Sequence, residues 1–296
     1  PGLIVDRYAD VRVVQLLAPG VERFRDVLVE ALRRRGDVAG LYERSDADSR
    51  ELEGLPARRG LLWGDVVSEP QTIVEYGSAF RVDIAEGHKT GFYLDQRENR
   101  RRAADVLRGA EVLDAFCYSG GFSVAALRGG AGHIVAVDSS SRALELAAQN
   151  LAINGFAADR IDWIAGDVFD VLRRFRDQGR SFDAVVLDPP RFAPTASQVQ
   201  RAARGYKDIN LLALKLLRPG GRLMTFSCSG GVSPELFEQI VAGAARDAGA
   251  PIATEAWLAQ PPDHPVAAHF PEGRYLKGLV CRKGEGRWYP ERGSPD

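Results

Sequence analysis

The sequence predicts an α/β protein, a mostly parallel sheet covered by helices, with a smaller N-terminal α+β domain ahead of it. Three observations carry this reading. After residue 85, short apolar runs at 111–116, 133–137, 161–164, 182–187 and 221–227 alternate with stretches of helical spacing at 123–128, 141–154, 168–176 and 197–217. The runs are apolar almost throughout, as strands buried on both faces are. Residues 1–85 follow a different pattern and read as a domain of their own, with 86–296 as the second.

Within the N-terminal domain, strands are expected at 3–5 and 11–17, joined by a turn at Tyr8-Ala9-Asp10. A helix at 21–35 follows, with Val21, Phe24, Val27, Leu28, Ala31 and Leu32 on one face and Gly36 ending it. Further strands are expected at 40–44, 72–76 and 79–84. The last two straddle Gly77-Ser78, a hairpin signal. No internal repeat or low-complexity segment is found.

A composition of 45% hydrophobic and 27% charged residues over 296 positions is that of a soluble globular chain. No apolar run reaches the length of a membrane span, so no membrane partner is expected. The first six residues, Pro1 to Asp6, lack a basic region followed by an apolar core, so no secretory signal is expected. The sequence starts on Pro1 and not on Met, so an upstream cut is expected. Cys117, Cys228 and Cys281 are odd in number, far apart and outside any CxxC. That pattern excludes a disulfide scaffold and a zinc site, predicts no metal, and points to the reducing cytoplasm. A net charge of -1 gives no global basic signature, so local clusters matter more. Arg173, Arg174, Arg176 and Arg180 read as a solvated helix face. Arg97, Arg100, Arg101 and Arg102, and Arg191, Arg201, Arg204 and Lys207, flank the motifs below and are the phosphate-binding candidates.

Ligands of parallel α/β sheets bind at the carboxyl ends of the strands. The first expected strand runs into Asp114-Ala115-Phe116-Cys117-Tyr118-Ser119-Gly120-Gly121. Its glycines let a ligand approach the backbone, and the following helix start offers free N–H groups. The turn has neither the GxGxxG spacing of a dinucleotide site nor the GK[ST] of a phosphate loop. An acid there would repel a diphosphate but suits a ligand bearing an ammonium and a sulfonium, as S-adenosylmethionine does. Asp138 ends the second strand, placed to accept from ribose hydroxyls, and Asp167 follows the third, placed to bond an adenine amino group. Singly, each Asp reads as a cap or turn residue; three at consecutive strand ends read as a cofactor site.

The fourth strand ends in Asp188-Pro189-Pro190-Arg191-Phe192. Two prolines remove two donors and stiffen the chain, leaving acceptors for the amino edge of a nucleobase. A plain strand terminator explains the triplet equally well. The fifth strand ends in Phe226-Ser227-Cys228-Ser229-Gly230-Gly231, where a thiolate at an exposed turn could act as a nucleophile. Cys117 is expected only to pack, and Cys281, in a late strand, has no evident role.

These residues, with 87–97, Gly205-Tyr206-Lys207-Asp208-Ile209-Asn210, Asp263-His264-Pro265 and Tyr275-Leu276-Lys277-Gly278, resemble bacterial 23S rRNA cytosine-C5 methyltransferases of the RlmI type, in order and over essentially the whole chain. The resemblance implies a class I, Rossmann-like S-adenosylmethionine-dependent methyltransferase fold with a seven-stranded, mostly parallel sheet. It implies Cys228 as the nucleophile that adds to cytosine C6, and Asp188 as the group that binds the N3/N4 edge. The segment 89–97 would close over the cofactor through Phe92, Tyr93, Gln96 and Arg97. Asp114, Phe116, Ser119, Gly120, Asp138 and Ser139 would line the cofactor pocket, together with Asp167, Val168 and Asp188. Pro189, Pro190, Arg191, Phe192, Tyr206 and Lys207 would face the substrate; Phe92, Tyr93, Phe192 and Tyr206 are candidates for stacking on a flipped base. The implied partner is 23S rRNA, free or in a pre-ribosomal particle, and a homodimer is left open. Members of that family carry a PUA RNA-binding domain ahead of the position of Pro1. Many RNA cytosine-C5 methyltransferases have a second Cys where Arg191 stands, so no residue is assigned to assist elimination of Cys228. Two other readings compete: methylation of an exocyclic amine (adenine N6 or guanine N2), which Arg191 before Phe192 weakens, and a cofactor-binding RNA-associated assembly protein.

Overall fold

A computed structural model describes residues 2–65, 70–192 and 198–286, and the chain divides into two compact units, Pro1–Leu94 and Asp95–Asp296. The division lies after Leu94 and not after residue 85, because the segment that follows 85 is tied into the first unit. Thr90 Oγ1 donates to Asp6 at 2.6 Å and pairs with the Tyr8 hydroxyl at 2.7 Å, which also meets the Phe92 backbone.

In the first unit, β1 (Leu3–Tyr8), β2 (Val11–Leu16), β3 (Gly40–Ser45) and β4 (Arg58–Gly64) form one sheet in that order, with β2 and β3 parallel. The expected helix at 21–35 is two pieces, α1 (Pro19–Glu22) and α2 (Arg25–Arg34); Val21, Leu28, Val29 and Leu32 cover Val14, Leu16 and Leu41 of the sheet. The short α3 (Asp48–Leu52) precedes β4. β5 (Gln71–Glu75) and β6 (Ser78–Val82) make the expected hairpin, with the turn on Tyr76 and Gly77, both at positive φ.

The second unit begins with α4 (Arg97–Val106) and then alternates: β7 (Glu111–Ala115), α5 (Gly121–Arg128), β8 (His133–Asp138), α6 (Ser141–Ile153), β9 (Ile161–Ala165), α7 (Val168–Asp177), β10 (Phe182–Leu187), α8 (Val199–Leu216), β11 (Leu217–Ser227), α9 (Pro234–Asp247), β12 (Ile252–Ala259) and β13 (Lys277–Lys283). The expected start of α8 at Ser197 lies outside the described residues. The sheet order is β12-β13-β11-β10-β7-β8-β9, parallel from β11 through β9, with β13 antiparallel to both of its neighbours. This is the expected seven-stranded, mostly parallel sheet. Alternation puts Leu113, Val135, Val185 and Leu223 into the layer under α7, α8 and α9, and Val112, Ile134, Val186 and Met224 into the opposite layer. Both faces are thus apolar, and polar chemistry is confined to the strand ends.

Candidate active site

The turn after β7 is bent hard. Phe116, Tyr118 and Gly120 have φ of 63°, 47° and 75°. Two non-glycine residues in the left-handed region cost about 1 kcal/mol or more each, and such strain collects at ligand sites. The bend is held from three sides. Cys117 N donates to Val137 O at 3.1 Å, Tyr118 N to Asp138 Oδ2 at 2.9 Å, and Asn150 Nδ2 from α6 to Ser119 O at 3.0 Å. Gly120 is required twice over: its φ is positive, and a Cβ there would stand 3.0 Å from that of Ala147. The bend aims the N-terminus of α5 at the strand ends.

Asp114 lies beneath this turn, 1% exposed. Ser123 Oγ donates to its Oδ2 at 2.6 Å, while among the described residues Oδ1 has no partner and the buried Ser119 hydroxyl has none. Burial raises the Asp114 pKa to about 6 against the Ser123 hydrogen bond, and the Asp138 charge adds to the rise. Asp138 ends β8 half-buried, its oxygens accepting from Tyr118 N and Ser140 N, with Ser139 exposed beside it. Asp167 is the N-cap of α7, accepting from Asp170 N at 3.1 Å. Val168 behind it is buried, and the Phe116, Phe169 and Phe192 rings form an aromatic wall with centroids 6.0–6.5 Å apart.

On the next strand, Asp188 is half-buried and accepts from Gln96 Nε2 at 2.9 Å. Asn99 Nδ2 donates to Gln96 Oε1 at 2.6 Å, which turns the Gln96 amide so that its NH2 faces the carboxylate. Pro189 is buried, while Pro190 and Arg191 are exposed. Cys228 follows β11 and is half-buried, whereas Cys117 and Cys281 are buried. Burial pushes the Cys117 thiol well up and the Cys281 thiol to about 11, so neither ionises near neutrality. The strand ends carrying Asp188 and Cys228 are neighbours, with Leu187 in register with Thr225.

A family model described as S-adenosylmethionine-dependent methyltransferase matches residues 60–279. Proteins named "Ribosomal RNA large subunit methyltransferase I" from Shewanella amazonensis and Aeromonas hydrophila are each 50% identical over 95% of this chain and 71% of their own. The chain belongs to this family of methyltransferases. Among solved structures, a protein from Streptococcus mutans described as a SAM-dependent methyltransferase superposes with a TM-score of 0.83 at 24% identity, over 95% of this chain and 71% of the other. A tRNA m1G37 methyltransferase from M. jannaschii gives 0.62 at 19%, over 96% and 77%. These two likenesses establish the fold.

The residues of this methyltransferase fit its cofactor, S-adenosylmethionine. A buried carboxylate with one oxygen open and a buried hydroxyl without a partner among the described residues are what a cationic ligand would complete. Asp114 and Ser119 would hold its amino-acid end, Asp138 its ribose, and the Asp167–Val168 corner with Phe116 its adenine.

Other expected site residues fall elsewhere. Tyr206 is fully buried, its ring 4.7 Å from Phe192 and 5.7 Å from Phe237, with its hydroxyl 3.0 Å from Ser229 Oγ. It cannot offer a face to a base and instead supports the Cys228 turn. Phe92 is buried in the first unit against Phe80 at 5.2 Å, which removes it as a stacking platform; Tyr93 carries the Lys89 ammonium 4.6 Å over its ring. Gln96, expected on the cofactor, spends its amide on Asp188. Arg97 pairs with Asp263 at 2.6 Å and Lys207 with Asp247 at 2.6 Å. Arg100, expected on phosphate, is 3% exposed and lies against Gly121, leaving the exposed Arg101 and Arg102 of that cluster. In the second cluster Arg173, Arg176 and Arg180 pair with Asp208, Asp177 and Glu111, as a solvated face does. Part of the 191–207 segment, 193–197, lies outside the described residues. Asn99, Asn150 and Ser123 were not legible as site residues, because nothing local in the sequence marks a buried amide or hydroxyl that serves a distant turn.

Among the described residues no group of three His, Cys, Asp or Glu side chains could hold a metal ion, and no helix is long and apolar enough to cross a membrane.

Proposed function

We propose that this methyltransferase converts a cytosine of large-subunit (23S) ribosomal RNA, free or in a pre-ribosomal particle, to 5-methylcytosine through a covalent adduct on Cys228. The observation that carries the reading is the pairing of a half-buried thiol and a half-buried carboxylate at the ends of adjacent parallel strands, β11 and β10. The name shared by the 50% identical relatives supports RNA as the substrate.

Aromatic C5 is a poor nucleophile until C6 carries an added group. The Cys228 thiolate adds to C6, and the electron pair displaced from the C5–C6 bond makes C5 nucleophilic. S-adenosylmethionine supplies an electrophilic methyl group when bound. Loss of the C5 proton to a base then re-forms the double bond as the C6–S bond breaks and Cys228 leaves as thiolate. Asp188, oriented by Gln96, takes the N3/N4 edge and stabilises the adduct. The stiff Pro189-Pro190 step keeps that carboxylate in place.

Labelled cofactor and 23S rRNA from a strain lacking the enzyme, digested to nucleosides, test the assignment. The expected product is 5-methylcytidine, lost in Cys228→Ala while cofactor binding persists. Methylated adenosine or guanosine, or full activity of Cys228→Ala, would overturn it.

A further inference from the structure

Lys277 is 5% exposed, on the strand β13 that pairs with β11, and it stands in register with Ser227, the residue before Cys228. Its Nζ reaches forward into the nucleophile turn and donates to Ser229 O and to Val232 O, both at 2.6 Å. An ammonium has three N–H donors. Two are thus spent on neutral carbonyls, and among the described residues no carboxylate pairs with the charge. A buried cation without an anion is a costly arrangement. Burial lowers the Lys277 pKa to about 8; a negative charge on Cys228 would oppose that fall, and Arg191 adds to it. The titratable groups around the turn are Arg191 and the Asp188 carboxylate after β10, the Tyr206 phenol on α8, raised by burial, and Lys277 on β13; Asp188 works against a negative sulfur and Lys277 for it. Glu238 and Arg274 line one cleft together with Lys277, and there Glu238 accepts from the Trp257 indole. The group inside the turn that can carry the missing negative charge is Cys228.

We infer that Lys277 is a positioning residue that holds Cys228 as a thiolate, its ammonium clamping the 228–232 turn through two carbonyls and compensating the sulfur's charge. The inference rests on the reading of Cys228 as nucleophile. The arrangement gives the thiolate a fixed cation that needs no proton transfer from substrate: the proton has already left to solvent. It also makes Cys228 a better leaving group at the end of the cycle, since the departing sulfur emerges beside the same charge.

The test is the pH profile of Cys228 alkylation by iodoacetamide, read by peptide mass spectrometry, in wild type, Lys277→Gln and Lys277→Arg. The expected result is a midpoint raised in Lys277→Gln, with the rate at pH 7 lowered by about tenfold or more, and a midpoint kept near wild type in Lys277→Arg. An unchanged profile in Lys277→Gln overturns the inference, as does an equal shift in both variants, which would mark a packing effect. Calorimetric binding of S-adenosylmethionine verifies that each variant is folded. A second measurement needs no change at Lys277: the ultraviolet thiolate absorbance of wild type minus Cys228→Ser. A thiol still protonated above pH 8.5 overturns the inference. Failure of the covalent reading would show separately, as methyl transfer that survives in Cys228→Ser.

Discussion

Asp114 offers the sharpest energetic test. Its carboxyl is fully buried, keeps one oxygen unpaired and titrates near 6, against 3.8 for an ordinary Asp. An acid whose folded pKa is raised favours the folded state when protonated and loses that advantage as pH climbs from 3.8 to 6. Moving the pKa that far costs about 3 kcal/mol at neutral pH, of which about 2 kcal/mol develops between pH 4.5 and 7. Asp114→Asn removes the titration while keeping an acceptor for Ser123. The stability difference, variant minus wild type, should therefore rise by about 2 kcal/mol from pH 4.5 to pH 7 in cofactor-free protein, whatever constant offset the new amide introduces. Urea unfolding followed by fluorescence and circular dichroism, at several pH values, measures it. Two parallel stability curves would refute the assignment of a destabilising buried charge. Cofactor affinity should follow the same titration: S-adenosylmethionine should bind wild type more tightly as pH rises through 6, and Asp114→Asn weakly at every pH.

Other outcomes follow from the same geometry. Gly120→Ala should cost about 1–2 kcal/mol in stability, from the left-handed φ and the Ala147 contact, and weaken cofactor binding measured by calorimetry. Gln96→Leu should leave cofactor affinity nearly intact and lower the transfer rate by about 10–100-fold, the worth of a hydrogen bond to a charged group, in a single-turnover assay with RNA. Native protein should take up one equivalent of iodoacetamide at pH 7, at Cys228, because Cys117 and Cys281 are buried with raised thiol pKa values. Methyl transfer to RNA should fall with salt; Arg191→Glu should flatten that slope more than Lys207→Ala, whose ammonium is already engaged by Asp247.

The sequence disclosed β7, β8, β10 and the end of β11 because each is an apolar run buried on both faces, so 182–187 and β10 coincide; β9, an edge strand with Asp162 and Ala165 exposed, was marked only by its place between two helical stretches. It drew attention to Asp114, Asp138 and Asp188 for a related reason: a carboxylate at the end of such a run has no apolar packing role. Strand β12 went unread because it is an edge, half exposed from Ile252 to Ala259, with Trp257 in solvent. The break between α1 and α2 carries no proline or glycine at Arg23-Phe24 to announce it. Tyr206 was misread because a tyrosine near a basic cluster looks the same whether its ring faces solvent or Phe237. The Gln96–Asp188 and Lys277–Ser229 contacts join residues far apart in the chain, and no local pattern encodes which amide or ammonium will arrive at a given turn.

The insertion of β13 between β11 and β12 sets an order of events during synthesis. Everything needed for the glycine turn and Asp188 has been made once β11 exists, but the cation for the thiol sits 48 and 45 residues beyond the carbonyls it clamps. Until β13 enters its slot, β11 keeps an unpaired edge and β12 has no neighbour in the sheet, and contacts of such sequence separation form late. On the inference drawn for Lys277, a nascent chain can complete its glycine turn before Cys228 gains its compensating cation. The last strand of the sheet would then act as an arming step, which keeps the thiolate fraction low during the interval when an exposed sulfur is most open to oxidation.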